Sequence, residues 1–129
     1  MFDYSIKTSL SYDQAIRNIE EKLAEIKFGV LFKLDLTGKL KEKGLSFDRN
    51  FIILEVCNPV EALNVLSKNI KAGYFLPCKI VVYEEREGSI VGMIKPTELI
   101  AMIAEEDLKE TALNVERKLI GVIESLKTE

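Results

Sequence analysis

Apolar and polar residues alternate at the start of the chain, where Phe2, Tyr4 and Ile6 are interleaved with Asp3, Ser5 and Lys7. That period of two turns one face of a β-strand toward a core. The strand is expected to end near Leu10. Ser11, with Gln14 three positions on, carries a capping-box signature, and Ile16, Ile19, Leu23 and Ile26 then recur at helical spacing. Gly29 reads as the turn into a second strand, in which Val30, Phe32, Leu34 and Leu36 alternate with Leu31, Lys33 and Asp35. Residues 37–50, with Gly38 and Gly44 around a charged segment, predict one short helix and a turn. Phe51-Ile52-Ile53-Leu54-Glu55-Val56 is a nearly continuous apolar run and predicts a central strand covered on both faces.

Cys57 closes that run. Asn58 is a helix cap, Pro59 suits the first helical position because its missing N–H would be unpaired there, and Glu61 completes a capping arrangement. The third helix is expected to reach about Ala72, with Val60, Leu63, Leu66 and Ile70 as its buried stripe and Gly73 as its left-handed terminator. Residues 79–84 and 89–94 predict a hairpin around Glu85, Arg86, Glu87 and Gly88. Pro96 opens a short helix through Ala104, and Glu105, Glu106 and Asp107 put negative charge at the positive end of the last helix. In that helix Leu108, Ala112, Val115, Leu119, Val122 and Leu126 recur at alternating steps of four and three, a heptad seam. The element order predicts an α+β fold, a five-stranded mixed sheet with helices packed mainly on one face, in a single domain over residues 1–129.

Composition narrows the chemistry. The chain has 129 residues, 47% hydrophobic and 30% charged, the balance of a chain with a packed core. Its net charge of −3 supplies no basic field for nucleic acid or an anionic membrane. No apolar stretch is long enough to span a bilayer and no leader-like start occurs, so a cytoplasmic protein with reduced thiols is expected. Histidine is absent, which excludes imidazole bases, histidine metal ligands and Ser-His-Asp triads. Glu84, Glu85 and Glu87 lack the spacing of a cation loop, so no metal site is expected, and no cofactor is indicated. Lys39, Lys41, Lys43 and Arg49 are weighed as an anion site against a solvated short helix, and the solvated helix is preferred.

The candidate site is built on the two cysteines. Cys57 precedes a helix N-terminus, where a partial positive charge favours a thiolate, while a small apolar sulfur also suits a core. Cys78 follows Pro77, 21 positions on, outside the C-x-x-C spacing of thioredoxin-like redox sites. A helix crossing back along the sheet would part the cysteines by the ~18 Å rise of twelve residues. Residues 73–77 can return part of that distance, so the spacing leaves both arrangements open. In the site reading, Cys57, Asn58, Pro59, Pro77 and Cys78 are the candidate residues, with Asn58 orienting a ligand or a water.

The run Gly29-Val30-Leu31, the segments Cys57-Asn58-Pro59 and Leu76-Pro77-Cys78, and the following Val81-Val82-Tyr83-Glu84 resemble the bacterial and archaeal family called domain of unknown function 302, from about Phe28 to Met102. The resemblance implies a compact α+β domain, dimeric, with no established activity, and marks those five residues as motif positions without giving them roles. The function expected is a small module that binds a small ligand or senses oxidants through a cleft near Cys57 and Cys78. The alternative is a homodimeric interaction or scaffold protein with purely structural cysteines and the last helix as its partner surface. Leu113, Ile120 and Ile123 widen that helix's apolar face and favour a second copy against it. An enzyme using carboxylates or lysine is the third reading, since no acid–base pair is placed by motif.

Overall fold

The capping box at Ser11 forms as its spacing predicts. Gln14 N donates to Ser11 Oγ at 3.2 Å and Ser11 N donates to Gln14 Oε1 at 3.1 Å, opening helix α1 (Tyr12–Glu25). The computed structural model describes residues 1–103 and 106–128. Strand β1 (Asp3–Thr8) precedes α1. After it come β2 (Gly29–Asp35), α2 (Leu36–Glu42), β3 (Phe51–Cys57), α3 (Pro59–Lys68) and a 3₁₀ helix (Ile70–Phe75). The chain continues through β4 (Cys78–Glu85), β5 (Gly88–Ile94), α4 (Pro96–Ala101) and α5 (Glu106–Glu124).

The five strands lie in the order β1-β5-β4-β3-β2 and every neighbouring pair is antiparallel. The sheet is therefore antiparallel rather than mixed. β3, β4 and β5 follow one another as neighbours, and β1 closes the far edge by pairing antiparallel with β5, so no parallel crossover arises. Alternate strand residues are buried: Ile52, Leu54 and Val56 on β3, Ile80 and Val82 on β4, Val91 and Met93 on β5. They form one core with Ala15, Ile19 and Leu23 of α1 and Val115, Leu119 and Ile123 of α5. Ile53 and Phe51 stay half-buried while Ile52, Leu54 and Val56 are buried, so the expected equal cover on both faces of β3 is not found. Its run of consecutive apolar residues conceals an ordinary alternation.

Several local expectations shift. Lys27, at φ 68°, makes the turn that the sequence assigned to Gly29, and Gly29 begins β2. Asp35 Oδ1 accepts from Gly38 N at 3.0 Å and caps α2, which draws Leu36 from the strand into the helix. The third helix stops at Lys68, where Asn69 caps the 3₁₀ segment by accepting from Lys71 N at 2.9 Å. Of the expected stripe, Val60, Leu63 and Ile70 are 69%, 67% and 75% exposed and only Leu66 is half-buried, whereas Val65 and Ala72 are buried. Gly73 lies within the 3₁₀ helix and is not among the residues of positive φ. Gly88 is, at φ 102°, and a Cβ there would meet Thr8 O of β1. Glycine is required at that turn.

The heptad seam is borne out: Leu108, Ala112, Val115, Leu119, Val122 and Leu126 are all buried within the chain itself. Burial of this seam thus reflects packing in the chain's own fold. A second, smaller core joins Val65, Ala72, Ile100, Leu108 and Ala112. Ala104 and Glu105, the expected end of α4 and the first of three acidic residues before α5, lie outside the described residues; Glu106 and Asp107 do occupy the first turn of α5.

Candidate functional site

β3 ends on Cys57 and β4 begins on Cys78. Their antiparallel register sets Cys78 opposite Val56, with Cys57 one residue further on, so sheet geometry puts the two cysteine Cα atoms about 6 Å apart. The wide separation that a returning helix would have produced is not adopted. α3 and the 3₁₀ helix instead form a closed excursion that brings the chain back to where it left the sheet. Both thiols are free. In the register Cys78 stands opposite Val56 and Cys57 opposite Gly29.

The two cores do not close completely upon one another. Between them lies a cavity of about 60 Å³ bordered by Cys57, Asn58 and Cys78, with walls from Val56 of the larger core and Val65 and Ile100 of the smaller. A second cavity of about 210 Å³ lies outside it and is lined by Tyr74, Pro77, Lys79 and Ile94. Phe75, Leu76, Cys78, Pro96 and Leu99 line both. Of the five residues chosen from sequence, Cys57, Asn58 and Cys78 meet at the inner cavity and Pro77 at the outer. Pro59 lines neither and sits exposed at the first position of α3.

Electrostatics set the form of the sulfurs. Burial pushes the Cys57 thiol above its ordinary value. Burial pushes Cys78 up further, to about 11, and the neighbouring charge of Cys57 adds to the effect. The expectation of an acidified Cys57 is therefore reversed: desolvation outweighs the helix N-terminus, and both side chains rest as thiols at neutral pH.

Asn58 is largely committed to its cap. Its Oδ1 accepts from Val60 N at 3.0 Å and Glu61 N at 3.2 Å, and among the described residues its Nδ2 makes no hydrogen bond, which leaves an amide donor beside the cavity. Glu61 does not complete the reciprocal half of the cap. The residue borders the inner cavity, and its carboxylate accepts from Asn64 Nδ2 at 3.5 Å and lies 3.8 Å from Lys118 Nζ of α5. Glu61 is a site residue that the sequence reading missed, because its partner stands 57 positions away along the chain. Glu116 was missed for the same reason. Buried on α5, it accepts from Thr97 N at 3.0 Å and Thr97 Oγ1 at 2.6 Å and so supplies α4 with the cap that Lys95 does not. α4 carries Pro96, Leu99 and Ile100 of the cavity wall.

Among the described residues, no cluster of three or more Cys, Asp or Glu is placed to hold a metal ion. No helix among the described residues is long and apolar enough to cross a membrane.

A family profile described as "Domain of unknown function DUF302" matches residues 4–126. No curated protein matches the chain. Among solved structures, the crystal structure of an uncharacterized conserved protein DUF302 from Bacillus stearothermophilus is 44% identical, with 98% of this chain and 99% of that one covered at a TM-score of 0.95. On a family match that takes in nearly its whole length and a fold shared with that relative, the chain belongs to the DUF302 family.

Proposed function

We propose that this chain is a small-molecule-binding module that admits a compact, mostly apolar group to the cavity between the ends of β3 and β4. The observation that carries this reading is that both cysteines and Asn58, drawn from separate segments, border one cavity between two cores. Apolar walls supply the driving force, and two protonated thiols supply soft polar contacts. The inner space admits only a few heavy atoms, since each water-sized sphere takes about 10–15 Å³ of such volume. A larger ligand would keep its remainder in the outer cavity. Oxidant sensing is the lesser reading, because peroxides attack thiolates and burial raises both thiols.

Xenon is a suitable probe of the inner space. Under xenon pressure, NMR methyl resonances of Val56, Val65 and Ile100 should shift and saturate, and filling the cavity with Ala112→Leu should abolish the response. Unshifted methyls in the wild-type protein would reject the binding reading.

A second reading, favoured by a different observation, is a homodimer. α1 and α5 complete the core formed by one set of alternate strand residues, while the other set stays half-buried or exposed. An apolar sheet face left in this state suits a protein partner.

A further inference from the structure

Strand registers arrange the outward side chains of the sheet in three rows. The upper row runs Lys7, Ile90, Tyr83 and Phe51. Ser5, Gly92, Val81, Ile53 and Leu34 make the middle row, centred on Val81, and at Gly92 a Cβ would stand 3.0 Å from Ser5 Cβ. In the lower row Asp3 and Ile94 lead to the ion pair of Lys79 Nζ with Glu55 Oε2 at 2.7 Å and end at Phe32. Phe32 and Ile94 are 53% and 43% exposed. The Phe51 and Tyr83 rings stack at 5.3 Å and 8°, with Arg49 at 5.4 Å from the Tyr83 centroid, so the aromatic part of the face is rigid.

We propose that a second copy of this chain docks face to face on these rows, about a twofold axis that lies in the interface and runs across the strands through Val81. This rests on the homodimer reading above and assigns it a surface and a symmetry. The area is sufficient: five strands about 4.8 Å apart and about 20 Å long give a footprint of roughly 480 Å². Side-chain relief brings the accessible area lost per partner to the order of 800 Å², that of a standard stable interface.

Charge selects the axis. A twofold along the strands would set Lys79 against its own copy and Asp3 against Phe32, a like-charge contact and a buried charge on a ring. A twofold across the strands exchanges the upper and lower rows. Lys7 then stands over the partner's Asp3, and Asp3 over the partner's Lys7, while the Lys79–Glu55 ion pair, its charges already matched, lies over the partner's stacked Tyr83 and Phe51. Neither Asp3 nor Lys7 has an ion pair within the chain among the described residues.

Sedimentation velocity on the full chain from about 1 to 100 µM tests this. A species of twice the 14.6 kDa chain mass is expected. Val81→Lys should weaken the dimer by at least about a hundredfold, since a buried ammonium would face its own copy. Asp3→Lys and Lys7→Asp should each weaken it by about tenfold, and the double variant should restore it. Leu63→Glu, on the exposed side of α3, should leave it intact. A wild-type chain that stays at 14.6 kDa throughout overturns this surface and the homodimer reading together. A dimer that survives Val81→Lys, or one that breaks with Leu63→Glu, overturns the surface alone. Should Val81→Lys fail to fold, the charge pair decides: recovery in the double variant supports the axis, and no recovery overturns it.

Discussion

Cys78 is held between opposing demands. Sulfur is small and apolar enough to line a cavity between two cores, yet it remains ionisable, and burial together with the neighbouring Cys57 lifts its pKa to about 11 from an ordinary value near 9. A folded-state pKa above the unfolded one means that the native protein keeps a proton which the unfolded chain releases. The stability so gained is fully present below pH 9 and is lost as pH rises through 11. The loss amounts to about 2–3 kcal/mol at two pKa units. Cys78→Ala should flatten the fall in urea-unfolding stability between pH 9 and 11 relative to wild type, while lowering stability at neutral pH by the packing removed. Parallel curves for the two proteins across that window would show that the buried thiol does not titrate as described. Cys57 shifts in the same direction from burial alone and should contribute less.

At the scale of elements, the cavity wall depends on a cap borrowed from another helix. Glu116 holds the first turn of α4 through Thr97 N and Thr97 Oγ1. Its removal leaves buried donors without partners, at a cost of about 1–3 kcal/mol. Glu116→Ala should therefore loosen α4 and speed alkylation of Cys78 at neutral pH by several-fold, while Glu116→Gln, which keeps an acceptor oxygen, should stay close to wild type. Equal alkylation rates in all three proteins would detach Glu116 from the wall. None of this was legible in the sequence, where Glu116 falls on the polar side of a seam. α1, α5 and the β4–β5 hairpin were legible, because caps, heptads and turn residues act over a few positions. α3 was half legible. Asn58 and Pro59 mark its start, but its end at Lys68 and its buried side, Val65 rather than Val60 and Leu63, were not legible.

Over the whole molecule, α5 joins the two cores. Leu119, Val122 and Ile123 belong to the core on the sheet, and Leu108 and Ala112 to the smaller one beside the cavity. Leu119→Ala should cost about 2–5 kcal/mol, read as a lowered urea midpoint. A loss under 1 kcal/mol would mean that the seam is not the junction between the cores. Strand number was legible from alternation, but strand direction was not, since partners such as Ile6 and Val91 stand far apart in sequence and nothing local records their pairing. The meeting of Cys57 with Cys78 had the same character: their spacing permitted it, and only the register of β3 on β4 decided it.

The place of β1 in the sheet also bears on how the chain matures on the ribosome. Its sole neighbour is β5, whose last residue, Ile94, is translated 86 positions after Thr8. At about 5–20 residues per second, the first strand waits roughly 4 to 17 s without its mate. Nascent chains stalled ahead of β5 should consequently carry a tacky leading segment, the natural quarry of a holdase.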